Sequence, residues 1–380
     1  MKFVFAPDSF KGSISAKRVC ELLAQVAIRH YPNAELDSVP VADGGEGTVE
    51  ALVLSAKGRM DRVKVTGPMG RPVEAAYGIL RDGETAVLEM AQASGLPLVP
   101  INERNPLSAT SFGTGEMIAH VLKEGYRRLL IGLGGSATND GGMGMLSALG
   151  VRFYDREGNL LRGSGEELER VYDVDQSGLN ASLRDARLIA MSDVTNTLLG
   201  ENGATAIYGP QKGATRSMLD RLEAGMAHYA EIMRKTIGAD IAGFDGAGAA
   251  GGMGAALAGV LKAKMRPGIS TVLDIADFDR RISDASLVIT GEGTLDGQSI
   301  RFGKVAAGVA KRCAARHVPV IAIVGGMSAG AEALYDLAES SIMTTINGAM
   351  DIPCAMANAE ALFLSAADRM FRMLKIGGRL

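Results

Sequence analysis

Five short strand-like segments, four of them apolar runs and one alternating, constrain this chain more than any other feature, because two stand at its beginning and three at its end. FVFAP (3–7) and ELDSVPVA (35–42) flank AKRVCELLAQVAIRHY, whose apolar residues recur at three and four and mark an amphipathic helix with Ser13 or Ser15 as its cap. SLVITGEG (286–293), VPVIAIVGG (318–326) and SSIMTTING (340–348) again alternate with helical stretches. Nearly continuous apolar runs joined through helices are the pattern of parallel strands buried on both faces. Strands at 3–7, 35–42, 286–291, 318–324 and 341–346 therefore predict a flavodoxin-like, doubly wound parallel sheet drawn from both ends of the chain. Ligands of such sheets bind beyond the carboxyl ends of the strands at the switch point, between the first and third strands, and those ends carry Asp8 and Glu292.

The middle of the chain follows another pattern. KVTGPMGRPVEAAYGIL and ETAVLEMA read as antiparallel strands, followed by the helix GEMIAHVLKEG, the strand RRLLIGL, the helix GMGMLSALG, the strands VRFYD and RLIAMSDV, and a long helix near 216–237. The expected organisation is a discontinuous α/β domain (1–66 plus 286–380) with an inserted mixed α/β domain (67–285) and a cleft between them. A length of 380 residues with 47% hydrophobic content suits two such cores.

Forty basic against forty-three acidic residues, with no Lys/Arg stripe and no Trp, lack the footprint of a nucleic-acid binder. No stretch approaches about 18 uninterrupted apolar residues, and MKFVFAPDSF is too short an apolar run for a signal peptide, so a cytoplasmic protein is expected. Cys20, Cys313 and Cys354 show no CxxC spacing, and the four His are not spaced as ligand pairs, which argues against a zinc site or a Ser/His/Asp triad.

Glycine is concentrated in loops: 49 residues, clustered in DGGEG (43–47), GLGGSATNDGGMG (132–144), GAGAAGGMG (246–254), GEGTLDG (291–297) and VGG (324–326). Four loops carry candidate chemistry. APDSFKGSIS sets Asp8, Ser9 and Lys11 just past a strand end. VADGGEGT places Asp43 and Glu46 three apart, as a capping box would, but with two glycines between them that suit a ligand approaching the backbone. LLIGLGGSATNDGGMGMLSALG, a strand running through glycines into a helix, has the makings of an anion site, with phosphate as its natural tenant. The same stretch also fits a dinucleotide fingerprint, Gly132-x-Gly134-x-x-Ala137, with Asp155 as the ribose-binding acid, although Asn139, Asp140, Gly141, Gly142 and Gly144 lengthen the loop before its helix. The fourth loop, VITGEGTLDGQSIRFGKVAAGVA, supplies Glu292, Asp296, Gln298, Ser299 and Lys304. With Asp193 of MSDVTN and Lys212 of GPQKGA it offers carboxylates for Mg²⁺ and ammonium groups for phosphate charge.

Nine blocks, APDSFKGS, VADGGEGT, EMAQASGL, SFGTGE, GLGGSATNDGG, SDVTN, GPQKGA, GAAGGMG and TGEGTLDGQS, together resemble the bacterial glycerate kinase type 1 family over almost the whole chain. The resemblance implies an ATP- and Mg²⁺-dependent kinase acting on D-glycerate, with 2-phosphoglycerate as the favoured product. Carried across the matching blocks, it implies Lys11, Asp193, Glu292 and Asp296 as catalytic residues, with Asp193 and Glu292 near the metal. Substrate would meet Asp8, Ser9, Asp43, Glu46, Ser299 and Lys304. Nucleotide phosphates would meet Gly134, Gly135, Ser136, Thr138, Asn139, Asp140 and Lys212. One departure stands out: Ser299-Ile300-Arg301-Phe302-Gly303-Lys304 is a residue longer than the family's S-x-x-G-K-x-P and lacks its proline, which can redirect the Lys304 side chain. A homo-oligomer is compatible with this reading. The residues leave two other readings standing, a nicotinamide-dependent dehydrogenase built on the 132–137 loop and a two-lobed small-molecule binding protein.

Overall fold

The computed structural model describes residues 1–378. Its strands in chain order are β1 (Lys2–Pro7), β2 (Glu35–Ser38), β3 (Arg59–Thr66), β4 (Pro72–Ile79), β5 (Thr85–Glu89), β6 (Arg128–Gly132), β7 (Arg152–Tyr154), β8 (Leu160–Leu161), β9 (Asp173–Asp175), β10 (Arg187–Met191), β11 (Lys264–Arg266), β12 (Leu287–Leu295), β13 (Val320–Met327) and β14 (Ser340–Thr344). The chain falls into two compact units. The first comprises Met1–Asp43, Glu50–Lys57 and Gly268 onward, and the second Gly44–Val49 and Gly58–Pro267.

The first unit carries a five-stranded sheet in the order β14-β13-β12-β1-β2, parallel throughout. Numbered within the sheet, that is the doubly wound order 2-1-3-4-5, and its switch point lies between β1 and β12. Successive side chains of a strand point to opposite faces, so Phe3, Phe5, Ile289 and Ile323 share a core with helices Ala16–His30 and Ala359–Gly377. Phe3 meets Phe371 edge to face, with centroids 5.5 Å apart. Ser15 caps the first helix by accepting the Arg18 N–H.

The second unit contains a six-stranded sheet, β11-β10-β6-β5-β4-β3, and a small antiparallel sheet, β8-β7-β9. β3 to β5 pair antiparallel, whereas β5, β6, β10 and β11 are parallel to one another. The crossings between units differ from those expected at 66 and 285. β3 pairs with β4 along its whole length, from Arg59↔Ile79 to Thr66↔Pro72, which assigns residues 58–66 to the second unit. Helix Gly268–Ile275 belongs to the first, where Ile269 packs so close to Gly308 that a Cβ there would meet it at 2.7 Å. Among the described residues no helix is long and apolar enough to cross a membrane.

Candidate active site

The first unit has a cavity of about 540 Å³ at the carboxyl ends of β1, β12, β13 and β14. It is lined by Asp8, Ser9, Lys11, Asp43, Glu292, Asp296, Ser299 and Lys304, so these sequence-predicted residues do converge. Position follows from the pairing: Pro7 lies opposite Gly291, and the Asp8 N–H donates to the Gly291 carbonyl at 2.8 Å, which fixes Asp8 and Glu292 side by side as the strands end.

Four carboxylates face two ammonium groups here, so full ionisation would leave a surplus of negative charge. Burial, reinforced by the charge of Asp43, pushes the Asp8 carboxyl up to about 7, against the Ser9 N–H that donates to it at 2.6 Å. Burial also pushes Glu292 up to about 7, opposed by the Ala306 N–H and the Lys304 ammonium. Two carboxyls poised near neutrality at a strand switch point suit proton transfer. The hard oxygens of Asp8, Asp43 and Glu292 also suit Mg²⁺, which takes one or two carboxylates and completes its shell with water and phosphate oxygens. Among the described residues no three acids, His or Cys form a metal cage by themselves.

Asp296 is used differently. It is the N-cap of helix Gly297–Arg301, and the Ser299 N–H that donates to it at 2.6 Å is the main cause holding its carboxyl below the usual range. The longer loop that follows leaves Lys304 in the cavity wall: its N–H donates to the Ser299 carbonyl at 2.9 Å, and its ammonium acts on Glu292. Asp193 lies half-buried just past β10 in the second unit, and Glu46 is exposed there.

The 43–49 segment corrects the capping-box expectation. Its helix opens at Thr48, so Asp43 and Glu46 both precede it, and Gly44 and Gly47 adopt positive φ. The Val49 N–H donates instead to Glu89 at 2.7 Å. Glu89, 2% exposed at the end of β5, is pushed up to about 7 by burial. Sequence reasoning passed over it, although an acid closing the otherwise uncharged strand TAVLE was the available signal.

The glycine loop of the second unit does surround an acid, but the acid is its own, and burial pushes the Asp140 carboxyl up against the groups that donate to it. Asp140 is fully buried and accepts the Ser111 N–H (2.7 Å) and Oγ–H (2.6 Å) and the N–H groups of Gly142 (3.1 Å) and Gly144 (3.3 Å). Other loop amides are also taken: Gly134 donates to Gly44, Ala137 to Ser94 and Gly141 to Gly251. Lys212 is 1% exposed and donates to the Thr138 carbonyl at 2.6 Å. Burial pushes its ammonium down to about 7, against the Asp140 charge. Thr138 and Asn139 are likewise fully buried, the Asn139 amide donating to Thr205. In this structure Asp140, Lys212 and the Asn139 amide are engaged inside the loop, whereas the Thr138 hydroxyl and the Asn139 side-chain carbonyl are buried without a hydrogen-bond partner among the described residues. Ser136 is buried beside them, which leaves the turn at Gly134 and Gly135 more open. The dinucleotide reading fails on similar grounds: helix Met143–Ala148 starts well past the glycines, and Asp155 accepts from the Glu157, Asn159 and Arg170 groups.

A doubly wound sheet with carboxyls and ammonium groups gathered at its switch point is the architecture of an enzyme that handles small anionic substrates. The chain belongs to the glycerate kinase family: that family's profile matches residues 3–375. It is 46% identical to the glycerate kinase of Bacillus subtilis strain 168 over 376 residues, 99% of this chain and 98% of the relative. It is 44% identical to the glycerate 2-kinase of Escherichia coli K12 over 379 residues, 100% and 99% of the two chains. A crystal structure of a Salmonella typhimurium LT2 protein described as a glycerate kinase 2 superposes with a TM-score of 0.86 at 43% identity, covering both chains completely.

Proposed function

We propose that this chain is a cytoplasmic glycerate kinase of the type 1 branch that transfers the γ-phosphoryl group of ATP to the 2-hydroxyl of D-glycerate. The observation that carries the reading is the pairing of Asp8 and Glu292, both pushed up to about 7, with Lys11 and Lys304 in one cavity of a glycerate kinase family member. The 2-position is supported by the name of the Escherichia coli relative.

Phosphoryl transfer asks a protein chiefly for positioning and charge compensation. Lys11 and Lys304 counter the glycerate carboxylate and the incoming phosphoryl group. Ser9 and Ser299 offer hydroxyls to the substrate oxygens. Asp8 or Glu292, ionised above about pH 7, accepts the proton of the attacking hydroxyl. Mg²⁺ would be held by Glu292 with Asp8 or Asp43, and when bound would neutralise the surplus negative charge and that of the phosphates. Gly135, the exposed residue of that turn, remains the part of the glycine loop able to meet a ligand.

The test is a coupled assay for ADP with D-glycerate and Mg²⁺ present or omitted, followed by phosphorus NMR of the product. We expect ADP only with both, and 2-phosphoglycerate as product. ADP without a glycerate requirement would overturn the reading, and 3-phosphoglycerate would overturn the position.

A further inference from the structure

The cavity of the first unit is lined by two unlike sets of residues: Asp8, Lys11, Asp43, Glu292 and Lys304 are charged, whereas Ile346, Ile352, Ala355, Met356 and Ala359 are apolar and belong to the segment 346–359. Helix Ile352–Ala357 reads IPCAMA: it contains no charged or hydrogen-bonding side chain other than a thiol, and none of its residues is buried. Ile352 is 75% exposed, Met356 43% and Ile346 39%. Ile352, Ala355, Met356 and Ala359 recur at three and four, so one face of this segment is turned to the cavity.

The apolar wall is fixed in place. Asp351 caps the helix by accepting the Cys354 N–H at 2.9 Å, and Pro353 sits in its first turn. The terminal methyl of Met356 lies over Gly12, where a Cβ would approach it to 2.9 Å; Gly12 has a φ of +78° and leaves that space open. The apolar wall is thus seated on the same loop that carries Asp8 and Lys11.

Glycerate carries an oxygen on each of its three carbons and has no apolar face to lay against isoleucine and methionine. A purine is flat and presents two apolar faces, and burying them is favourable in proportion to area. Ligand pockets of this size are lined largely by apolar groups, with a few polar ones that fix orientation.

We propose that Ile346, Ile352 and Met356 form the nucleobase platform of this enzyme, with the nucleotide phosphates directed toward Lys11 and Lys304. This rests on the kinase reading above for the class of ligand. It places the base-binding site in the first unit, outside the glycine loop of the second. The first turn of helix Val305–Ala314, where Lys304 is an N-cap without a side-chain hydrogen bond, adds a favourable field for the phosphates.

The test compares the wild-type chain with the neutral double variant Ile352→Asn/Met356→Gln and the conservative variant Ile352→Leu/Met356→Leu. Affinities for ADP and for inorganic tripolyphosphate, which has no base, are measured by calorimetry without glycerate, so no turnover is required. The polar variant should lose on the order of ten-fold in ADP affinity, about 1.4 kcal/mol, and keep its tripolyphosphate affinity. The leucine variant should bind both as wild type does. Under turnover the KM for ATP should rise in the polar variant while that for glycerate holds. Unchanged ADP affinity, or equal losses for ADP and tripolyphosphate, would overturn the platform. So would a change in sedimentation with ADP affinity intact, which would mark the wall as a contact between copies. ADP binding that depends on these residues in a chain that phosphorylates no glycerate would uphold the platform and sink the kinase reading instead.

Discussion

Glu292, near the end of β12, and Asp296, just past it, stand four residues apart, yet their surroundings give them opposite tasks. Glu292 is raised to about 7 mainly by burial, whereas Asp296 is held low mainly by the Ser299 N–H it caps. Glu292→Gln should therefore lower kcat by roughly two orders of magnitude or more with no loss of melting temperature, since removing a buried charge relieves its desolvation. Asp296→Asn keeps a good cap and should cost only a few tenths of a kcal/mol, with kcat falling less than about ten-fold, whereas Asp296→Ala should cost about 1 kcal/mol. Steady-state kinetics paired with thermal melts separate the two, and equal kcat losses in Glu292→Gln and Asp296→Asn would refute the division. Glu89 gives a pH signature. Its carboxyl ordinarily titrates at 4.5 and is raised to about 7 here, so between those values the folded state holds a proton that the unfolded chain releases. Stability must then fall as pH rises through that window, and level off above it. Glu89→Gln can still accept the Val49 N–H but has no proton to lose. Urea titrations at pH 5.5 and 7.5 should show the variant gaining on wild type at the higher pH, by about 2 kcal/mol. A difference between the two proteins that is flat with pH would show that the carboxyl is ionised throughout.

At the scale of elements, the 132–144 loop shows why some features are legible in a sequence and others are not. That a strand running through glycines into a helix favours an anion follows from backbone geometry, which sequence spacing reports well. Which acid occupies it depends on where Asp140 points, and that is settled by Ser111, 29 residues away, whose N–H and Oγ–H both reach the carboxyl group. The same holds for Val49, which finds its acceptor 40 residues on, in Glu89. The parallel strands, the antiparallel β3 to β5 and helix Arg216–Ile237 were readable because their periodicity is local. The convergence of Asp8 with Glu292 was readable because the strand order dictates it. The apolar wall of Ile352 and Met356 was not, because its meaning lies in what leaves it uncovered. Lys212 tests the revised role of the loop. As a buried ammonium bound to the Thr138 carbonyl beside Asp140, it should behave as an interior strut. Lys212→Met removes the buried donor to the Thr138 carbonyl, leaving that oxygen without its partner, and should destabilise the chain by about 2 kcal/mol. The KM for ATP of the folded fraction should remain within about two-fold. A raised KM at unchanged melting temperature would instead restore Lys212 as a phosphate ligand.

At the scale of the whole molecule, the two units are interleaved along the chain and differ in where their ionisable groups lie. The polypeptide passes between them after Asp43, Val49, Lys57 and Pro267, so neither unit is a contiguous segment. The first keeps its carboxyls and ammonium groups on an accessible cavity wall, while the second has drawn Asp140 and Lys212 into its interior. A ligand that binds only the native state stabilises what it touches by RT ln(1 + [L]/Kd), about 2.7 kcal/mol at a hundred-fold excess over Kd. That stabilisation reaches amide exchange through the openings that expose the bound groups. Glycerate with Mg²⁺ should therefore slow exchange first at the ends of β1, β12 and β13 and in the 8–14 loop. ADP should extend the slowing to residues 346–359. The amides of Gly142 and Gly144, already donated to Asp140, should show little added protection with either ligand. Exchange followed by mass spectrometry on the full chain resolves these segments. Protection by ADP that centres on residues 132–144 and leaves 346–359 unchanged would move the nucleotide back to the glycine loop, and would show that Asp140 yields its amides to phosphate when ligand arrives.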